Sequence, residues 1–175
     1  MASNQERRQQ RRQKQLNDAL VEAAQQGSLA DIQSLLDQHA DINCRNFLHS
    51  TPLHYASMNG NHQCIELLLD RHADINALAN NNSTPLHNAS SNGHHQCVDI
   101  LLDRHADINA LGCYASTPLH CASLIGNRRC IELLLAYGAD KSLINVRLSL
   151  TAYASISLMN ASTTINQSQR IILTP

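Results

Sequence analysis

Apolar residues fall in short paired bursts along this chain, separated by polar turns. Leu53 and Ala56 stand three apart, and Cys64, Ile65, Leu67 and Leu68 follow at i, i+1, i+3 and i+4. Both spacings put their side chains on one face of a helix, leaving Glu66 and Asp70 for the polar side. The punctuation agrees with this. Thr51 can accept a first-turn amide through its hydroxyl, and Pro52 suits the first helical position, where no amide hydrogen is needed. Gly60 is placed to end the first helix in the left-handed conformation. His72 stands where the second helix should stop, and Ala73-Asp74-Ile75-Asn76 leads into a polar turn. The pattern predicts a helix, a turn, a second helix and an extended finger.

The unit recurs. Thr51-Pro52-Leu53-His54 returns as Thr84-Pro85-Leu86-His87 and as Thr117-Pro118-Leu119-His120, each 33 residues on. Gly27, Gly60, Gly93 and Gly126 keep the same step, as do Cys64, Cys97 and Cys130. The run DRHADINAL at 70–78 reappears unchanged at 103–111. A unit this short cannot bury its apolar face alone and must stack on its neighbours. A fourth unit comes first and lacks the Thr-Pro-Leu-His motif. Leu20 to Ala24 is its first helix, Gly27 a break, Ile32 to Leu36 its second helix, and His39-Ala40-Asp41-Ile42-Asn43 its turn.

A 33-residue helix–turn–helix–finger unit carrying T-P-L-H-x-A resembles the ankyrin repeat, and Ala56, Ala89 and Ala122 complete the signature. The resemblance implies an all-α solenoid of four to five repeats, atypical terminal caps included, with a β-turn or hairpin finger in each. Its expected parts are a cap repeat at 16–46 and full repeats at 47–79, 80–112 and 113–145. Residues 146–175 are expected to be a degenerate partial cap, Tyr153-Ala154-Ser155 echoing Tyr55-Ala56-Ser57, followed by a disordered polar tail. Two departures from the family fall in loops. His49, Asn82 and Ala115 stand where the finger tip usually carries Gly, and His39, His72 and His105 replace the Gly before Ala-Asp that only Gly138 retains. Asn and His tolerate positive φ better than Ala does, so the last finger is expected to turn differently, using Gly112.

Composition narrows the function classes. Lys+Arg 13 against Asp+Glu 14 leaves a net charge of −1, which points to neither nucleic acid nor membrane. No apolar run approaches the roughly 18 residues of a membrane span, and the N-terminal residues contain no apolar core of a signal peptide. Ala2 stands where myristoylation requires Gly. An intracellular protein is expected, in cytoplasm or nucleus, with its 6 Cys reduced. The charge is uneven: residues 1–15 form a basic, Gln-rich arm holding five cations and one Glu, and the remainder carries −5. Like charges at i, i+4 and positive charge near a helix N-terminus are unfavourable, so this arm is expected to be disordered or a frayed helix. A nuclear-import or nucleic-acid tether is the alternative use of it, and nucleic acid is not the expected partner.

The 10 His and 6 Cys invite a metal site. Equivalent cysteines of adjacent repeats would lie about 8–10 Å apart on packed helices, too far to share a zinc that holds each ligand at about 2.3 Å. They are expected to be core residues. His54, His87 and His120 recur three times, which a catalytic residue need not do. By the resemblance, each links its own Thr hydroxyl to neighbouring backbone. No Gly-rich phosphate loop, Ser/His/Asp constellation or HExxH is present, so no catalytic residue, metal or cofactor is expected.

What the resemblance does imply is a protein partner, contacted through the fingers and the exposed side of each first helix. Carried across, the fingers offer Phe47, Leu48 and Ser50, then Asn80 and Asn81, then Tyr114. The first helices offer Tyr55, Met58 and Asn59, then Asn88 and Ser91, then Cys121, Leu124 and Ile125. Phe47, Leu48, Tyr55 and Met58 together suit an interaction hot spot; the alternative is that the finger pair folds back over the cap. The expected function is a non-enzymatic adaptor or regulatory scaffold, monomeric and without a small-molecule substrate. Asn43, Asn76 and Asn109 each follow Ile by one, Asp by two and Leu by eight residues. That pattern resembles asparaginyl-hydroxylation sites of ankyrin repeats and makes them modification candidates.

Overall fold

The computed structural model describes residues 4–143. The partial cap and tail expected at 146–175 lie outside them. Among the described residues there are eight α-helices and no strand: α1 Asn4–Gln26, α2 Leu29–Asp37, α3 Pro52–Asn59, α4 His62–Asp70, α5 Pro85–Asn92, α6 His95–Asp103, α7 Pro118–Ile125 and α8 Arg128–Ala136. Helices α1, α3, α5 and α7 pack side by side in one row, and α2, α4, α6 and α8 in a second. The core lies between the rows. Leu53, Ile65, Leu86, Val98, Leu101, Leu119, Ile131 and Leu134 fill it, and Cys64, Cys97 and Cys130 are buried among them. Ala56, Ala89 and Ala122 are fully buried, small enough to let the first row close up.

Each Thr-Pro-Leu-His motif starts a helix of the first row by one local mechanism. The Thr84 N–H donates to His87 Nδ1 at 3.2 Å, and the His87 N–H returns to Thr84 Oγ1 at 3.4 Å. Nδ1 is thereby an acceptor, so the proton of the neutral ring sits on Nε2. That nitrogen donates across the repeat boundary to the Ser116 carbonyl at 2.9 Å. His54 repeats the arrangement, with Nδ1 taking the Thr51 N–H and Nε2 reaching the Ser83 carbonyl at 3.0 Å. In the last copy the Thr117 N–H donates to His120 Nδ1.

A second set of links joins the repeats at the helix ends. The carboxamide of Asn61 donates to the Ala24 carbonyl at 2.9 Å, His94 Nε2 to the Met58 carbonyl at 2.9 Å, and Asn127 to the Ser90 carbonyl at 2.9 Å. Along the outer row Asp37 pairs with Arg71, and Asp70 with Arg104. Tyr137 takes the place of the next arginine, and its hydroxyl donates to Asp103 and Asp99. Those two carboxylates push the Tyr137 phenol well above its usual range.

One sequence expectation changes here, and two resolve to one of their expected forms. The arm takes the helical form: residues 4–15 are the first turns of α1, continuous with its buried part at Leu20, Ala23 and Ala24. Arg and Gln are good helix formers, and elongating an existing helix avoids the nucleation cost. Repulsion of a few tenths of a kcal/mol per like-charged pair is too small to undo that. Gln13 adds a clip, donating to the His39 carbonyl at 3.0 Å. Secondly, the expectation for Gly112 changes: it does not supply the left-handed conformation of the last turn, since its φ is −92°, whereas Tyr114 and Ala115 take left-handed values of 56° and 54°. Gly112 is needed for space, since a Cβ there would lie 2.9 Å from His87 Nε2. Thirdly, the fingers take the β-turn form without a regular strand: the N–H of His49, Asn82 or Ala115 donates to the carbonyl of Asn46, Ala79 or Gly112, and the N–H of Asn46, Ala79 or Gly112 reaches the carbonyl of Ser50, Ser83 or Ser116.

Candidate functional site

The first-row helices and the fingers share one side of the stack, and they hold the exposed apolar residues unevenly. In the first full repeat Phe47 is 85% exposed on the finger, with Leu48 beside it and Met58 exposed on α3. The finger pair therefore does not fold back over the cap. In the third, Tyr114 is 70% and Ile125 62% exposed, and Leu124 is exposed next to it. The repeat between them offers Asn80, Asn81, Asn88 and Ser91.

Asn46 organises the first finger. Its Oδ1 accepts the N–H groups of Leu48 and Ser50 at 2.9 and 3.0 Å, a side-chain-made turn that pushes Phe47 and Leu48 outward. Its Nδ2 donates to the Tyr55 hydroxyl at 2.6 Å, and the Tyr55 ring is half-buried. Finger and helix are thus fastened together beneath the apolar residues. Asn59 donates back to the Tyr55 carbonyl on the same helix.

Ser50, expected to be exposed, is only 9% exposed, and its carbonyl accepts the bond that closes the finger. Several of the middle polar residues are also engaged internally. Asn88 is half-buried and donates to the His54 carbonyl at 3.3 Å, Asn80 donates to the Phe47 carbonyl at 3.2 Å, and the Asn81 carboxamide accepts the Ser83 N–H. Ser91 donates to the Asn88 carbonyl. Sequence reasoning missed Asn46, as well as Leu78 and Leu111, which are exposed at equivalent finger positions. The 33-residue register does mark the two leucines, as the last residues of the duplicated run.

The Cys121 thiol on this face is not activated. Cys121 is half-buried, and burial, reinforced by nearby Cys113, pushes it up to about 11. Burial also raises the core thiols, Cys97 to about 12 and Cys130 to about 11. Among the described residues no group of three His, Cys, Asp or Glu is placed to hold a metal ion. No helix among them is long and apolar enough to cross a membrane.

The modification candidates lie at the base of the fingers. Asn43, Asn76 and Asn109 each use Oδ1 to accept the backbone N–H of the next repeat's Asp74, Asp107 and Asp140, at 2.8 to 2.9 Å. These three bonds are inter-repeat joints, and Asn17 of α1 makes a like bond to Asp41 within the cap repeat.

A family model for ankyrin repeats (3 copies) matches residues 20–112 and 72–145. Comparison with curated proteins finds no match. Ankyrin repeats are generally protein–protein interaction modules and typically not enzymes. With the matched span covering most of the chain, and the capped helix pairs stacked in two rows, the chain belongs to the ankyrin-repeat family.

Proposed function

We propose that this protein is a non-enzymatic adaptor or regulatory scaffold that binds a protein partner on the side formed by its fingers and first-row helices. The observation that carries the reading is the pair of exposed apolar clusters on that side, Phe47, Leu48 and Met58 at one end and Tyr114, Leu124 and Ile125 at the other. Exposed apolar groups of this size, held on a rigid backbone, are the usual anchors of an interface. The polar middle repeat, much of it bonded internally, separates the two anchor points. Tyr55, Asn59, Asn80, Asn81, Asn88, Ser91 and Cys121 then line the contact surface between and beside the anchors. An intracellular setting belongs to the same proposal, supported by a core that uses buried thiols as small apolar residues.

The test uses the full chain and the double variant Phe47→Asp, Met58→Asp. Both side chains are exposed, so helicity by circular dichroism should match. Proteins captured from lysate by the parent and lost by the variant would establish this surface and name the partner. Equal capture by both would show that this end of the surface is not used.

A further inference from the structure

The continuity of α1 gives its basic residues a fixed direction. Along an α-helix each residue turns by about 100°, so Arg7, Arg8, Arg11, Arg12 and Lys14 fall within an arc of about 160°. Glu6 lies on the far side of the helix, roughly 200° from the middle of that arc. So does Gln13, whose carboxamide is bonded to the His39 carbonyl on the folded body. Leu16, Leu20, Ala23 and Ala24, which pack into the core, continue that same side. The cations therefore point away from the stack, and residues 4–12 are exposed throughout.

From Asn4 to Gln15 the helix has no apolar residue at all; it is Asn, Gln, Arg, Lys and one Glu. Insertion into a membrane surface needs an apolar face, which this arm lacks, and it also lacks the aromatic or aliphatic side chains that usually anchor a protein interface beside arginine. Nucleic acid is the partner class whose binding is carried by charge alone, through release of counterions from phosphates. Arg and Lys reach phosphates and guanine edges, and Asn and Gln pair with adenine. An α-helix of about 10–12 Å diameter fits the B-form major groove, about 12 Å wide, whereas the deep, narrow major groove of A-form RNA does not admit it. The remainder of the chain is acidic at −5 and would be held off the duplex.

We propose that the N-terminal half of α1 is a docking helix for double-stranded DNA, seated in the major groove by Arg7, Arg8, Arg11, Arg12 and Lys14. This site is independent of the finger surface, and the two functions are separable by mutation.

The test is fluorescence anisotropy of the full-length protein with a labelled 25-base-pair DNA duplex across a salt series. Five phosphate contacts predict a slope of log K against log salt of about −4.5, so affinity falls several hundredfold between 50 and 200 mM. Arg7→Gln with Arg11→Gln, which keeps helix propensity and should leave the circular dichroism unchanged, is expected to flatten the slope by about 2. Arg71→Gln with Arg104→Gln should leave it where it was. The proposal is overturned if the duplex does not bind at low salt, if the arm variant keeps the full slope, or if duplex RNA of the same sequence binds equally well.

Discussion

His87 of one repeat holds the carbonyl of Ser116 in the next through Nε2 at 2.9 Å, while Nδ1 accepts the Thr84 N–H. The bond at Nδ1 needs the neutral ring, and burial keeps it neutral by lowering its pKa from the ordinary 6.5. His54 is lowered by the same cause, against the raising effect of its bond to the Ser83 carbonyl, and burial lowers His120 too. A folded pKa below the unfolded one means that the unfolded chain takes up more protons in the window between them. Stability is therefore full above about pH 6.5 and declines as pH falls toward the folded values. Urea unfolding at pH 7.5, 6.5 and 5.5 should show this loss before most carboxylates titrate. His87→Gln should cost about 1–3 kcal/mol at pH 7.5, and its deficit should narrow at pH 5.5. A parent stability that is flat over this range would contradict the assignment of neutral rings.

Gly93 and Gly126 separate backbone strain from crowding. Both have left-handed φ, 76° and 77°. A Cβ on Gly93 would meet Asn127 Oδ1 at 2.9 Å, disturbing the bond from Asn127 to the Ser90 carbonyl, whereas a Cβ on Gly126 meets nothing within 4 Å among the described residues. Gly126→Ala should cost about 1 kcal/mol from conformation alone, and Gly93→Ala about 1 kcal/mol more for the weakened link. Chemical denaturation of the two variants checks the difference; equal costs would mean the Asn127 link contributes nothing.

Left-handed non-glycine residues leave room for stabilisation. Ala115 has φ 54° and an exposed side chain, and His72 has φ 66° at the end of α4, also exposed. Ala115→Gly and His72→Gly should each raise stability by roughly 0.5–1 kcal/mol, Ala115 by the larger amount because Asn, Asp and His tolerate this region better. Thermal melts of the single and double variants should show additive upward shifts, since the sites lie in different repeats.

The repeat unit was legible in the amino-acid pattern because its signals are local. Thr caps, Pro at the first helical position and Gly60 at the helix end act within a few residues of themselves. The apolar side of α4 follows from spacing alone. The parts that were not legible depend on residues brought together by stacking. Nothing adjacent to Gly112 shows that His87, 25 residues earlier, occupies the space a side chain would need. Ser50 looks like any finger serine until Asn46 closes the loop over it. The sequence left the arm open between disorder and helix for a different reason: charge repulsion is visible in sequence, while the helix it elongates is anchored by residues beyond it, Leu20, Ala23 and Ala24.

Asn43, Asn76 and Asn109 join Asp74, Asp107 and Asp140 in a line of like bonds, each spanning one boundary. Mechanically these are joints in series. A load applied between the two ends passes through every one of them, so their small extensions add while the weakest sets the yield force. The molecule should bend as a soft spring, changing its curvature to follow a partner without breaking any single contact, and beyond its limit it should come apart one repeat at a time.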